Sequence, residues 1–312
     1  MFRSLVSLLW LLLIPCFCFA DEPNEKPFEL HDGDRVLFLG SSFFERALEH
    51  GHLETALALR FPDRDISFRN AGWDGDTVFG HSRTGGRRRA VFGDEEEGFQ
   101  RMVEHVQSLK PSVIFLAYGT NESFDGPRGV ARFKKGLHRL LGALKDRSNV
   151  RFVFLSPLPV NATFLPNPSY HKDRQAALIT YTEALRSVAA QMEYPFVDLL
   201  SSLAKVEFTK NGLHPNGAGY RFIATQIADQ LELPSPRINP TSAKAEALRA
   251  TIIKKNLLYF HRWRPRNDAF VYGERKDEQK IAQTEPAKFE PFIAKQETHI
   301  RAILKSIASE TP

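Results

Sequence analysis

Cysteine is almost absent from this chain: its 312 residues include two, Cys16 and Cys18, and both lie within the first 20 residues. That segment is typical of a secretory signal peptide, with the basic Arg3, an apolar run over residues 5–14 and a small residue, Ala20, before a polar stretch. We therefore expect a signal peptide over residues 1–20 and a secreted or periplasmic protein. The mature chain would then lack cysteine, which excludes disulfides, thiolate metal sites and a cysteine nucleophile.

Long apolar runs and metal-binding motifs are missing as well. The run over residues 5–14 is short for a transmembrane helix, so we expect no membrane span after signal removal, with an uncleaved anchor as the alternative. The histidines are scattered, and neither a His-Glu-x-x-His motif nor a carboxylate cluster occurs. The sequence therefore predicts no metal and no other cofactor.

The net charge of +5 belongs to one end of the chain. Residues 238–312 hold 14 basic and 9 acidic side chains, whereas residues 21–237 are close to neutral at −1. The basic balance of the whole chain therefore says little about what its larger part binds, and we expect no nucleic-acid partner. The sequence gives no indication of the oligomeric state.

Strand and helix patterns alternate over the larger part of the chain. After a polar linker at 21–33, residues 34–237 contain five short apolar runs separated by helical segments long enough for parallel crossovers. This order predicts an α/β protein, a three-layer α/β/α sandwich around a five-stranded parallel sheet. The predicted strands cover residues 35–39, 66–70, 113–117, 151–155 and 194–198, and the first predicted helix covers residues 44–60.

Residues 238–312 show no strand pattern and are predicted to form a helical and irregular basic extension. Helices are expected near residues 243–260 and 291–307. An aromatic and basic stretch around Trp263 lies between them. We expect this arm to pack on the sandwich; stacking on sugars or bases is the alternative.

The sequence Gly40-Ser41-Ser42 directly follows the first apolar run. A buried strand that ends at a glycine delivers the next side chain to the carboxyl edge of the sheet, where open α/β folds bind their ligands. Ser42 is therefore a candidate nucleophile, which needs a base, a group that orients the base, and donors for an oxyanion. A serine after a strand is also a common helix N-cap, so the other strand ends must decide.

The loops after the second, third and fifth predicted strands carry Gly72, Asn121 and His214. All of them should reach the same edge of the sheet as Ser42. His214 can act as the base and then as the acid. The backbone N–H groups of Ser42 and Gly72 and the side-chain amide of Asn121 can bind an oxyanion. Their common register favours a catalytic site over four unrelated loop residues.

At these positions the sequence resembles the SGNH (GDSL-type) hydrolases, a family of esterases, lipases and acetylesterases on a flavodoxin-like sandwich. The resemblance covers about residues 33–233 and lies in four blocks that occur in the family's order. These are Gly40-Ser41-Ser42, Asn70-Ala71-Gly72, Gly119-Thr120-Asn121-Glu122 and Asn211-Gly212-Leu213-His214.

Two positions depart from the family pattern. Ser41 replaces the aspartate that precedes the nucleophile, a position that takes no part in the chemistry. Asn211 replaces the aspartate that orients the histidine. An amide oxygen can accept a hydrogen bond from the imidazole and fix its tautomer, but it cannot stabilise the imidazolium with a full charge. We expect Asn211 to orient His214 less effectively than an aspartate would.

The resemblance implies a serine esterase that hydrolyses carboxylic esters through an acyl-enzyme and needs no cofactor. A small-molecule or carbohydrate ester, such as an O-acetylated sugar, is the expected substrate, because no lipase-like apolar lid is evident. The alternative is a non-catalytic glycan- or partner-binding module on the same fold, which the Asn211 substitution and the aromatic extension favour. A scaffold protein whose extension docks a partner is a further alternative.

Overall fold

The structure is a computed structural model that describes residues 28–83, 95–145, 149–164, 167–204, 206–209, 211–271, 273 and 275–310. The predicted signal peptide and most of the linker lie outside the described residues. Within those ranges, no helix combines the length and the apolar composition that crossing a bilayer requires.

The centre of the fold is a five-stranded sheet in which every neighbouring pair is parallel. The strands are β1 Arg35–Gly40, β2 Ser67–Asn70, β3 Val113–Ala117, β4 Arg151–Leu155 and β5 Phe196–Val197. Their order in the sheet is β2-β1-β3-β4-β5. Strands β1 and β3 are buried almost throughout, as continuous apolar runs require when helices cover both faces. The predicted five-stranded parallel sandwich is confirmed.

Helices cover both faces of the sheet. The α-helices of the described ranges are α1 Ser42–Ala47, α2 His52–Ala58, α3 Glu95–Leu109, α4 Val130–Lys145, α5 Pro168–Gln191, α6 Leu199–Ser202, α7 Gly217–Gln230, α8 Ala243–Trp263, α9 Asp268–Val271 and α10 Glu290–Ser309. One face of the sheet packs against α1, α2, α7, α8 and α10, and the other packs against α3, α4 and α5.

The prediction of a single helix over residues 44–60 is wrong, because the segment forms two helices. Helix α1 ends at Ala47, and α2 begins at His52 after Gly51, whose φ of 67° lies in the left-handed region. A Cβ atom on Gly51 would lie 2.9 Å from the side chain of Ile253 on α8. The break therefore follows from a glycine conformation and a close approach by the extension, neither of which helical spacing reveals.

The extension packs on the sandwich. Apolar side chains of α8 and α10, among them Leu248, Ile252 and Ile300, belong to the same core cluster as β1 and α2. Lys255 on α8 forms a buried ion pair with Glu54 on α2, with 2.5 Å between Nζ and Oε1. The helical character predicted for residues 238–312 is confirmed, and the extension covers part of one sheet face.

Candidate active site

Ser42 occupies the first position of α1, immediately beyond the end of β1. The carbonyl of Ser41 accepts hydrogen bonds from the N–H groups of Phe44 and Glu45, which closes the first turn. The N–H group of the first helical residue has no acceptor within its own helix, so the Ser42 N–H is available to an acceptor from outside the helix. The Ser42 side chain is half-buried and lines two cavities.

Gly72 does not face these cavities. Its N–H donates to Asn70 Oδ1 at 2.9 Å, and Asn70 Nδ2 donates to the carbonyl of Phe44 at 2.6 Å. A Cβ atom on Gly72 would lie 2.4 Å from the backbone nitrogen of Glu45. Gly72 is therefore the glycine that lets the loop after β2 pack under α1, and its donor is already used.

Gly75 is the residue of this loop that reaches the nucleophile candidate. Its N–H lies 3.3 Å from Ser42 Oγ, and the residue lines the larger cavity beside Ser42. Of the two glycines in this loop, Gly75 therefore has its N–H beside Ser42, whereas the N–H of the predicted donor Gly72 is bonded to Asn70. Both glycines follow the second predicted strand, so the sequence offered either as a donor. The hydrogen bond from the Gly72 N–H to Asn70, which the sequence does not reveal, distinguishes them.

Asn121 lies at the end of the loop after β3 and lines both cavities. Its Nδ2 atom donates to the carbonyl of Asp76 at 2.7 Å, which fixes the amide and leaves its second N–H for another acceptor. The neighbouring Glu122 is buried and accepts from the N–H groups of Val78 and Gly119, each at 2.8 Å. Burial raises the pKa of Glu122 to about 7.

His214 lies in the loop between α6 and α7 and lines both cavities with Ser42. Its ring is half-buried, and burial lowers its pKa. The positive charge of Arg46 lowers the pKa further, whereas the negative charge of Asp74 raises it. Arg46 and Asp74 also line the larger cavity and approach each other to 3.5 Å.

Asn211 shapes the backbone that carries His214. Its Oδ1 accepts from the N–H of Leu213 at 3.2 Å and from the N–H of His214 at 2.9 Å. Among the described residues, no hydrogen bond joins the Asn211 amide to the imidazole ring. The predicted contact with the ring is therefore replaced by a backbone turn, through which Asn211 sets the position of His214.

A buried ion pair that the sequence analysis missed holds the loop after β2. Asp76 Oδ2 accepts from Arg83 Nε at 2.7 Å and from the hydroxyl of Tyr118 at 3.1 Å. Both charged side chains are almost fully buried. Because Asp76 also presents the carbonyl that binds Asn121, this pair connects the loops that carry Gly75 and Asn121.

The extension contacts the same loop from behind. The ring of Trp263 packs edge-on against Trp73 with 5.4 Å between centroids. The guanidinium of Arg264 lies 4.3 Å from the centre of the Trp73 ring and forms an ion pair with Glu45. The expectation that the arm around Trp263 packs on the sandwich agrees with these contacts.

The two cavities differ in size and chemistry. The larger, of about 700 Å³, is lined mainly by polar and charged side chains, together with Phe79. The smaller, of about 130 Å³, is lined mainly by apolar groups, including Leu158, Val160 and Leu178. Ser42, Asn121 and His214 line both, so a group held at Ser42 has a polar space and an apolar space beside it.

Comparison with known proteins identifies the family of this chain. The sequence profile of the GDSL-like lipase/acylhydrolase family matches residues 38–222, which include Ser42, Gly75, Asn121 and His214. The chain belongs to this family. The predicted resemblance is confirmed, and with it the class of ester hydrolase. A comparison with curated protein sequences gives no significant match.

Solved structures share the family fold. One is BT4096, a gut microbial diltiazem-metabolizing enzyme, with a TM-score of 0.51 and 18% identity; the match covers 65% of this chain and 48% of that one. This chain thus spans about half of that enzyme. Another is a variant of Axe2, an acetyl-xylooligosaccharide esterase from Geobacillus stearothermophilus, with a TM-score of 0.50, 16% identity, and coverage of 68% and 100%. At these identities the likeness concerns the fold.

Proposed function

We propose that this ester hydrolase acts through an acyl-enzyme on Ser42. The observation that carries the proposal is that Ser42, Gly75, Asn121 and His214 line one cavity, although they come from four separate segments of the chain. A nucleophile, a base and a set of donors for an oxyanion are the groups that acyl transfer requires.

In the first half of the reaction, Ser42 Oγ attacks the ester carbonyl carbon and His214 takes the hydroxyl proton. The carbonyl oxygen becomes an oxyanion, which accepts from the N–H groups of Ser42 and Gly75 and from the second amide N–H of Asn121. His214 then donates its proton to the departing alkoxide oxygen. The alcohol leaves, and the acyl group remains as an ester on Ser42.

In the second half, His214 takes a proton from water, and the resulting hydroxide attacks the acyl carbon. The same three donors bind the second oxyanion. The proton held on His214 returns to Ser42 Oγ as the acid leaves. Both halves form an imidazolium, whose positive charge needs a nearby negative group for stabilisation.

We assign that negative group to Asp74. Asn211 carries no charge and uses its amide oxygen on the backbone, whereas Asp74 lines the cavity with His214 and raises its pKa. Burial and the positive charge of Arg46, which lies 3.5 Å from Asp74, work in the opposite direction and lower the pKa of His214. A neutral resting imidazole is the form that accepts the Ser42 proton.

The two cavities beside Ser42 support a substrate in which a short acyl group is esterified to a polar alcohol. A pocket of about 130 Å³ lined by Leu158, Val160 and Leu178 suits acetyl or a similarly small acyl chain. The cavity of about 700 Å³, with hydroxyl, imidazole and charged side chains beside the ring of Phe79, suits a sugar. We propose an O-acetylated carbohydrate as the substrate, and Axe2, which shares the fold, is an esterase of acetylated xylooligosaccharides.

Export belongs to the same proposal. The segment over residues 1–20 has the pattern of a signal peptide, and polymeric acetylated carbohydrate lies outside cells. N-terminal sequencing of the protein from the periplasm or the medium should begin near Asp21. Recovery of the full-length chain in the cytoplasm alone would contradict export and leave the esterase proposal untouched.

The direct test of the chemistry is hydrolysis of p-nitrophenyl acetate. Ser42→Ala should abolish release of p-nitrophenol, because the variant lacks the attacking hydroxyl. Ser41→Ala is the matched control, because Ser41 is the neighbouring serine and is buried. This variant should retain activity. Unchanged turnover in Ser42→Ala would contradict the proposal.

The second candidate is a glycan-binding module without turnover, favoured by the neutral Asn211 in place of an orienting carboxylate. It predicts saturable binding of acetylated oligosaccharides that survives Ser42→Ala, with no acetate released by the unmodified protein. Release of acetate from those oligosaccharides, abolished in Ser42→Ala, would exclude it.

A further inference from the structure

A separate cavity of about 300 Å³ lies between α2, α7 and the start of α8. None of the residues that line it also lines the two cavities at Ser42. Its charged lining consists of three arginines, one aspartate and one histidine, and its other lining groups include hydroxyls and small apolar side chains. The charged and titratable members are His52, Arg60, Arg221, Asp229 and Arg249.

Arg60 is the unusual member of this set. It is 8% exposed, and its Nη1 donates to the carbonyl of Ala56 at 2.7 Å. Its Nε atom is buried and has no hydrogen-bond partner. In the part of the chain that the structure describes, no carboxylate forms an ion pair with it. A buried guanidinium without an ionic partner is costly, because it stays protonated at any physiological pH.

The surroundings of Arg60 are positive. Burial lowers the pKa of His52 to about 4, and the charges of Arg249, Arg221 and His50 lower it in the same direction. Arg249 is paired with Glu246, whose negative charge raises the pKa of His52. His52 is therefore neutral near pH 7, and the charge of the lining comes from its arginines and from Asp229.

Asp229 does not neutralise this lining. Burial lowers the pKa of Arg60, and the charge of Asp229 raises it, but no ion pair joins the two side chains among the residues that the structure describes. The exposed Arg221 likewise forms no ion pair with any carboxylate in the described ranges. Arg60 and Arg221 are thus two cationic groups of one cavity without a bonded counter-charge.

We propose that this cavity binds an oxyanion group: a phosphate, a sulfate or a carboxylate. The forked donors of a guanidinium match the oxygens of these groups, and a negative ligand would supply the partner that Arg60 lacks. The cavity is larger than one inorganic ion needs, and Leu59, Leu233 and Pro236 add apolar groups to its lining. The oxyanion is therefore carried on a small organic molecule, such as a sugar.

The site also connects the sandwich with the extension. Arg60 follows α2, Arg221 belongs to α7, and Arg249 belongs to α8, where its Nη1 donates to the carbonyl of His50 at 2.7 Å. A ligand that contacts these arginines bridges all three helices. Its binding should therefore raise the stability of the folded chain by mass action.

Calorimetric titration of the protein with inorganic phosphate, at constant ionic strength near pH 7, tests the site. We expect saturable binding, a tenfold or larger loss of affinity in Arg60→Gln and a smaller loss in Arg221→Gln. Arg237→Gln is the matched control, because Arg237 lies nearby, pairs with Asp63 on the surface and is absent from the lining. Its affinity should equal that of the unmodified protein.

A sugar phosphate and glucuronate, titrated in the same way, identify the carrier. Tighter binding of either than of inorganic phosphate supports an oxyanion carried on a sugar, and equal or weaker binding of both overturns the assignment to a sugar-sized ligand. Absence of saturable binding of every probe, or equal affinities in Arg60→Gln and the unmodified protein, overturns the site itself. If Arg60→Gln does not fold, unchanged affinity in Arg221→Gln overturns it.

Urea unfolding distinguishes a ligand site from a structural arginine. Phosphate should raise the unfolding midpoint of the unmodified protein and leave that of Arg60→Gln unchanged, since the variant has lost the binding group. If Arg60 were purely structural, Arg60→Gln would lower the urea unfolding midpoint by the same amount with and without phosphate. Hydrolysis of p-nitrophenyl acetate should be unaffected in all of these variants, so the outcome does not depend on the proposed reaction at Ser42.

Discussion

The N–H of Gly75 lies 3.3 Å from Ser42 Oγ, although the two residues are 33 positions apart in the chain. The contact places a backbone donor from the loop after β2 beside the nucleophile candidate at the end of β1. Asn121 approaches the same place from the loop after β3, and its amide is held by the carbonyl of Asp76. Two loops thus place hydrogen-bond donors in the lining of one cavity beside Ser42.

Asn121→Ala should lower kcat for p-nitrophenyl acetate by about 10²- to 10³-fold, because removing one oxyanion donor has that effect in other acyl-transfer enzymes. KM should change little, since the donor is used most in the transition state. The measurement is steady-state kinetics, with thermal unfolding to confirm that the variant folds. A loss confined to KM would contradict an oxyanion role.

Asp74 and Arg46 should shift the pH dependence of kcat/KM in opposite directions. Asp74 raises the pKa of His214, so Asp74→Asn lowers that pKa and moves the acidic limb of the profile to lower pH. Arg46 lowers the same pKa, so Arg46→Gln moves the limb to higher pH. Activity is lost below the limb because protonated His214 cannot act as the base.

The two substitutions, Asp74→Asn and Arg46→Gln, should also differ in their effect on kcat. Asp74→Asn should reduce kcat at the pH optimum, because the imidazolium loses its nearby negative charge, whereas Arg46→Gln should not. The two variants control for each other, since each removes one member of the same surface pair. Shifts in the same direction, or none, would contradict the assignment of Asp74.

Asn211→Asp should leave kcat within a few-fold of the unmodified enzyme. An aspartate oxygen can accept from the N–H groups of Leu213 and His214 as the amide oxygen does, so the turn would be retained. Asn211→Ala should lower activity and stability together, because the turn loses its acceptor. A large increase of kcat in Asn211→Asp would show that this position acts on the imidazole itself.

The loops at the strand ends differ in how far their sequence predicts their position. Strand ends predicted that Ser42, Asn121 and His214 meet at one edge of the sheet, and the three residues line the same two cavities. The choice between Gly72 and Gly75 was beyond such reasoning, since it depends on a side-chain hydrogen bond from Asn70 and on the packing of α1. The same holds for Asn211, whose partner is the local backbone.

Long-range contacts with the extension were also hidden from the sequence. Helical spacing over residues 44–60 is continuous, but the approach of Ile253 to Gly51 accompanies a break between α1 and α2. Lys255 and Glu54 are far apart in the chain, and nothing in either local sequence marks them as partners. The break between α1 and α2 and the Lys255–Glu54 pair therefore depend on tertiary packing, which the periodicity of the sequence does not show.

Lys255→Met should destabilise the protein by about 3–5 kcal/mol, the usual cost of leaving one charge of a buried pair unpartnered. Glu54 and Lys255 are both almost fully buried, and Lys255 also donates to the carbonyl of Phe68. The double variant Glu54→Leu with Lys255→Met should recover much of this loss. Urea unfolding measures both, and a single variant as stable as the parent would contradict a buried pair.

The most direct test of the account is labelling with a fluorophosphonate followed by peptide mass spectrometry. An activated serine should form one covalent adduct, located on the peptide that contains Ser42, and His214→Ala should abolish labelling while the protein stays folded. An adduct on a different serine, or a folded enzyme that hydrolyses p-nitrophenyl acetate without any adduct, would contradict the role of Ser42.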